Sequence, residues 1–307
     1  MIQRRGSLTL GLLTVALVVA GCRPSTVDEV RTGDAELCRV CSVSLAADEM
    51  LFGLGVQDRV VAVSRFADNL GYSNVVGRFE ERVVRLTADL ELIVKVRPDL
   101  LVVSPYNSQD FLNVIDGAGI KTYRTRDVNS WQGIEDSIVG LGEQLGVSER
   151  ADVILRECQQ RLARVAHSIP EQDRLRVLAW STDMVTNGEK TTIGEMIVRA
   201  GGINVAEELG LEGMTQISAE RVLKAAPDVL LLGSDDPFGM SALPPAYKDF
   251  PRRHGIRVVA VPVKLLTSVS QYFVEGVELL AARLYGADDK RTLDAGKQHT
   301  TKLACSL

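Results

Sequence analysis

The feature that most constrains this chain is a rhythm. Short, uninterrupted apolar runs alternate with amphipathic segments, and the alternation occurs in two separate blocks. "RVCSVSL", "RVVAVS", "DLLVVS" and "IKTYRT" in the first block read as strands, as do "LRVLAWS", "DVLLLGS" and "IRVVAVP" in the second. Between them "ADEMLFGLG", "TADLELIVKV", "SQDFLNVIDGAG", "TTIGEMIVRAGG" and "SAERVLKAA" read as helices. Strands apolar along their whole length, separated by helices, form parallel sheets covered on both faces. The fold class is therefore α/β.

Two features set the organisation. The stretches "DLELIVKVRPDLLVV" and "SAERVLKAAPDVLLL" repeat one unit: a glutamate (Glu91, Glu220), a lysine four residues on (Lys95, Lys224), then Pro98-Asp99 or Pro227-Asp228 before an apolar run. Pro-Asp turns between helices and strands are common, but matching offsets at all four positions point to one helix-into-strand step used once per lobe. Between the blocks the rhythm breaks. "SWQGIEDSIVGLGEQLG" and "SERADVILRECQQRLARVAHSI" are consecutive helical segments, the second with an apolar stripe at Ile154, Leu155, Cys158, Leu162 and Val165. A helix of some twenty residues is about 30 Å long, enough for a strut between two lobes. The expected division is a first lobe over 38–127, connecting helices over 128–173 and a second lobe over 174–286. Capping boxes at Thr192-x-x-Glu195 and Ser268-x-x-Gln271 are expected to open the second lobe's helices.

The ends differ in character. "MIQRR" followed by "LTLGLLTVALVVAGC" has the charged, apolar and small-residue zones of a secretory signal over 1–22, and "VAGC" fits a lipobox in which Cys22 becomes lipidated. Residues 23–37 read as a flexible tether and 287–307 as a polar tail. With a net charge of −5 and no basic cluster, nucleic acid is an unsuitable partner. Of the five cysteines, Cys38, Cys41, Cys158 and Cys305 remain after Cys22, and their pairing is open. Cys38-x-x-Cys41 has redox spacing but stands where a strand begins, without the helix start that would lower a thiol pKa.

No hydrolase elbow, zinc-protease, phosphate-loop or kinase signature occurs, and the three histidines (His167, His254, His299) are scattered. A non-enzymatic chain without cofactor or metal site is the expectation. What the strand ends offer instead is aromatic and polar loops. Ligands bind outside the carboxyl ends of parallel strands, and those loops carry Arg65, Phe66, Tyr72, Tyr106 and Asn107 in the first lobe and Trp180, Phe238, Leu266 and Tyr272 in the second. Aromatics make up only 5% of the chain, so this concentration points to a cleft for a large, flat or amphipathic ligand. For any one of them, loop anchoring is an equal alternative.

With "RVCSVSLAADEMLFGLGVQDRVVAVSRFAD", "DLELIVKVRPDLLVVSP", "TIGEMIVRAGGINVA" and "ISAERVLKAAPDVLLL" in this order, residues 38–286 resemble the vitamin B12/ferric-siderophore solute-binding proteins of ABC importers. The resemblance implies two Rossmann-like lobes joined by a long backbone helix, with the ligand cleft between them. It also implies an exported, lipid-anchored monomer facing the periplasm or cell exterior, delivering its ligand to a permease dimer and its ATPase. In that family a glutamate at the start of the equivalent helix in each lobe docks on the permease, and Glu91 and Glu220 match those positions. Without the resemblance they are acidic residues favoured by the helix dipole. The ligand implied is a corrinoid or a ferric siderophore. A haem receptor using Tyr72, Tyr106 or Tyr272, and an extracytoplasmic sensor or redox protein using Cys38 and Cys41, are the alternatives.

Overall fold

The computed structural model describes residues 39–86, 90–126, 129–169, 172, 174–236 and 243–286. The expected leader, tether and tail lie outside these residues, as do Cys22, Cys38, Phe238, His299 and Cys305.

In the first block β1 (Val40–Ser42), α1 (Leu45–Gly53), β2 (Val60–Ser64), β3 (Val84–Leu86), α2 (Leu90–Val96), β4 (Leu100–Val103), α3 (Gln109–Gly117) and β5 (Thr122–Arg124) follow one another. Their strands form one parallel sheet in the order β3-β2-β1-β4-β5. Then come the two consecutive helices, α4 (Trp131–Gln144) and α5 (Ser148–Ser168). The second block runs β6 (Arg176–Ala179), β7 (Val185–Asn187), α6 (Thr192–Arg199), β8 (Ile203–Asn204), α7 (Val205–Glu208), β9 (Met214–Gln216), α8 (Ala219–Ala225), β10 (Val229–Ser234), α9 (Phe250–His254), β11 (Arg257–Pro262), α10 (Val263–Leu266) and α11 (Phe273–Tyr285). Here β11-β10-β6-β8 form a parallel sheet. The strands β7 and β9 make a separate antiparallel pair, which strand-by-strand reading did not anticipate.

The apolar strands are continuous because each face of each sheet has its own core. In β4, Leu100 and Val102 enter one buried cluster while Leu101 and Val103 enter another. In β10, Val229 and Leu231 join the same first cluster while Leu230 joins a third. That first cluster spans both sheets through α4, α5 and α11, with Trp131 stacked on Phe273 at 5.6 Å and 21°. The α5 stripe is as expected, with Leu155, Cys158, Leu162 and Val165 buried and Ala151 added at its start. Glycine permits the close approach of α11: a Cβ at Gly276 would come within 2.7 Å of Met196 Cε.

Helix starts follow the hydroxyl rule, with a correction at two places. Ser44, Ser108, Ser130 and Ser218 cap α1, α3, α4 and α8, each such cap contributing about 0.5–2 kcal/mol. The cap of α6 is Thr191, which accepts from Gly194 N at 3.0 Å, one residue before the expected box at Thr192. Glu195 is thereby released to pair with Arg199 at 2.7 Å and to accept from Trp131 N at 2.7 Å. The expected box at Ser268 and Gln271 does not form, because α11 begins only at Phe273 and those side chains turn to the first lobe instead. Cys41 and Cys158 are buried free thiols, and burial pushes them up to about 12 and about 11. A buried thiol held so high is a poor nucleophile, which argues against a redox role for Cys41. Among the described residues no helix is long and apolar enough to cross a membrane.

Candidate functional site

The carboxyl ends of the two parallel sheets are brought together. The loop after β2 carries Tyr72, whose hydroxyl donates to Asp236 Oδ1 just beyond β10 at 2.9 Å. The same loop carries Asn74, whose Nδ2 donates to Lys264 O in α10 at 2.8 Å. Loops at matching ends of both sheets therefore touch directly. Burial and the Asp236 carboxylate push the Tyr72 phenol up to about 12, so it acts as a proton donor and not as an anion.

On the first-lobe side of this junction the aromatics are open. Phe66 is 38% exposed with the Arg65 guanidinium 4.8 Å from its ring centroid, and Tyr106 is 71% exposed with its hydroxyl donating to Asn129 Oδ1 at 3.1 Å. Leu70, in the same loop as Phe66, adds exposed apolar surface that sequence reading did not single out. Asn107 uses its Oδ1 to accept from Ser104 N at 2.7 Å, which fixes the turn that presents Tyr106.

On the second-lobe side the expected residues are largely turned inward. Trp180 is 2% exposed and packs against Tyr247 and Phe250 at ring separations of 5.4 and 5.3 Å. Leu266 is likewise a core residue. Both are expected at the ligand edge and both pack inside this structure: the chain around Phe250 covers Trp180, and the helix that carries Leu266 folds against the shared core. Tyr272 is half-buried just before α11, its phenol raised by burial and by the Glu49 charge. Phe238 lies outside the described residues.

Two adjacent carboxylates went unread in the sequence. Asp48 and Glu49, both in α1, are buried at 0% and 1% exposure. Asp48 accepts from the Ser42 hydroxyl, from Ser64 Oγ at 2.5 Å and from Ser64 N at 3.1 Å, tying the ends of β1 and β2 together. Burial pushes it up to about 7. Glu49 accepts from donors in both lobes and is also raised by burial. The signal was present: α1 is apolar around its whole circumference, and such a helix is buried together with whatever charges it carries.

Away from this junction the repeated units take the same shape. Both α2 and α8 end in a non-glycine residue with left-handed backbone, Arg97 at φ 51° and Ala226 at φ 46°. Both turns are clamped by an arginine leading into a first strand. Arg39 donates to Val96 O and Arg97 O at 2.5 and 3.1 Å, and Arg176 to Ala225 O and Ala226 O at 2.6 and 2.8 Å. The Pro-Asp carboxylates answer alike, Asp99 accepting from Arg39 N at 3.1 Å and Asp228 from Arg176 N at 2.8 Å. Glu91 and Glu220 are exposed in the first turns of these helices, with Glu220 2.9 Å from Lys224.

A family model described as periplasmic binding protein matches residues 40–243. A "Cobalamin-binding protein" of Halobacterium salinarum is 28% identical over 217 residues, 68% of this chain and 58% of that one, so the match spans less than two thirds of that relative. An "Uncharacterized ABC transporter substrate-binding lipoprotein YvrC" of Bacillus subtilis is 24% identical over 313 residues, covering 92% of this chain and 98% of that one. Among solved structures, the periplasmic heme-binding protein RhuT of Roseiflexus superposes with a TM-score of 0.65 at 22% identity, over 80% of this chain and 97% of its own. The family match spans the whole first sheet, α4 and α5, and the strands β6, β8 and β10 of the second: this chain belongs to the periplasmic binding protein family.

Proposed function

We propose that this chain is the substrate-binding component of an ABC importer, and that it captures a cobalamin or a ferric siderophore between its lobes. Family membership supports an exported solute-binding role over catalysis. The single observation that carries the reading is the meeting of strand-end loops from both sheets at Tyr72 and Asp236, flanked by exposed Phe66 and Tyr106. Open aromatic faces beside a few fixed polar groups suit a broad, amphipathic metal complex. The name of the Halobacterium relative favours a corrinoid among such ligands. A haem reading rests on Tyr106, whose exposed phenol is the one of the three candidate tyrosines not drawn into the junction.

The partners follow from the same reading. Glu91 and Glu220, presented on two helices of the same build, would register the receptor on the two halves of a permease dimer, since paired charges fix orientation more than they add affinity. Cys22 would carry the lipid that holds the receptor at the membrane. Titrating the purified full chain calorimetrically with cyanocobalamin, haem and a ferric hydroxamate tests the ligand. One-to-one binding of one of them supports the reading, and no heat with any of the three contradicts it. Charge reversal at both Glu91 and Glu220 tests the docking: uptake should be lost with ligand affinity unchanged, and a change in affinity would place the two glutamates in the wrong role.

A further inference from the structure

We propose that Glu49 is the positioning residue of the cleft, a buried latch that sets the spacing between the two ligand-bearing edges. The inference rests on the reading of those edges given above, but its geometry stands independently. Glu49 lies on α1 in the first lobe, and its carboxylate is divided evenly between the lobes. Oε1 accepts from Asn74 N and Asn74 Nδ2 at 3.0 and 2.8 Å, within the first-lobe loop that carries Arg65, Phe66 and Tyr72. Oε2 accepts from Ser268 Oγ and Ser270 Oγ at 3.1 and 2.5 Å, in the second-lobe segment that leads to Tyr272. A carboxylate has about four acceptor directions, and all of them are used.

The surroundings make this a latch and not a decorative contact. The Glu49 backbone carbonyl accepts from Gln271 Nε2 at 2.7 Å, so main chain and side chain hold the same segment. Asn74 Nδ2 also reaches Lys264 O, and Ser270 Oγ in turn accepts from Tyr272 N at 3.3 Å. One carboxylate thus connects the loop ending at Asn74 to the backbone of Tyr272. Among the described residues no lysine or arginine forms an ion pair with Glu49. Its compensation comes from hydroxyl and amide donors alone, which have a fixed direction where a lysine would be adaptable. Removing the carboxylate would strand donors from both lobes at once, so the edges would separate without either sheet losing its core.

Hydrogen exchange and ligand binding on the full chain carrying Glu49→Ala, Glu49→Gln or Ser268→Ala with Ser270→Ala test this. For Glu49→Ala, peptides holding Asn74 and Tyr272 should exchange about tenfold to a hundredfold faster, while β4 and β10 keep their protection. Affinity for cyanocobalamin should fall about tenfold or more through faster release. Glutamine can accept from Asn74 and donate to the serine hydroxyls, so Glu49→Gln should restore both readouts. The double serine variant removes only the second-lobe arm and should still loosen Tyr272, which keeps the test open should Glu49→Ala fail to fold. Unchanged exchange at both segments overturns the proposal, as does an increase spread evenly through β1–β4, or a glutamine variant no better than alanine. A wild-type chain that binds no cyanocobalamin contradicts the proposed ligand, and the exchange results alone then decide the latch.

Discussion

The two lobes are alike in one region and unlike in another. At the helix-to-strand turns the match extends to the bonded groups: an arginine clamp, a left-handed residue, a Pro-Asp whose carboxylate takes the clamp residue's own amide. At the strand-end loops the likeness is gone. The first lobe leaves Phe66 and Tyr106 open, while the second buries Trp180 beneath Tyr247 and Phe250. The turns answer to a requirement shared by both lobes, a strand that must start at a fixed depth after a short helix. Under the proposed function the loops face a ligand that need not be symmetric, with open rings on one lobe and a packed wall on the other.

The contrast breaks first at Trp180. Trp180→Ala should lower stability by about 3–5 kcal/mol, as for a large core aromatic, in chemical denaturation. Phe66→Ala and Tyr106→Ala should leave stability nearly unchanged. If Trp180→Ala weakened ligand binding without affecting stability, the packed-wall reading would be wrong.

Next in size is the effect of pH. Asp48 is held near 7 against an ordinary 3.8, so the native state keeps a proton that the unfolded chain releases. The stability this group contributes is full below the unfolded value and is lost as pH rises through the folded one. Denaturation should therefore become easier as pH rises from about 4 to about 7, by on the order of a few kcal/mol, with little further change above that, and Asp48→Asn should flatten that slope. A slope that persists in the variant would assign the effect to other groups.

The turns come third. Arg39→Ala and Arg176→Ala should each cost about 1–2 kcal/mol by removing charge-assisted bonds to helix-end carbonyls. Arg176 should cost slightly more because it also pairs with Glu208 at 2.7 Å, a half-exposed contact of small value. A null result at one arginine alone would show that the two units only look alike. Smallest of all, Ala226→Gly should be neutral to stabilising by about 0.5 kcal/mol, since glycine removes left-handed strain at φ 46° but loosens the unfolded chain.

The repeated turns were legible because their information is local. Glu, Lys and Pro-Asp at fixed offsets announce a helix that stops and a strand that starts, and the Val/Leu runs announce sheets covered on both faces. The short edge strands β3 and β8 were not legible, because two or three residues carry no periodicity and their pairing is decided by the neighbour. The fate of each aromatic was not legible either. Trp180 and Phe66 follow similar strands, but whether a ring is buried depends on a segment such as α9, seventy positions away, arriving to cover it. Glu49 was hidden for the same reason: its donors come from Asn74, Ser268 and Ser270, and the two serines were read as part of a helix start.

The most direct test of the inter-lobe cleft is hydrogen exchange on the full chain with and without cyanocobalamin. Slowed exchange should appear together in the loop from Arg65 to Asn74, in the turn around Tyr106 and in the segment from Ser270 to Tyr272, while the clamped turns at Arg97 and Ala226 stay unchanged. Protection confined to one lobe, or appearing at the turns and not at the loops, would contradict a ligand held between the two sheets.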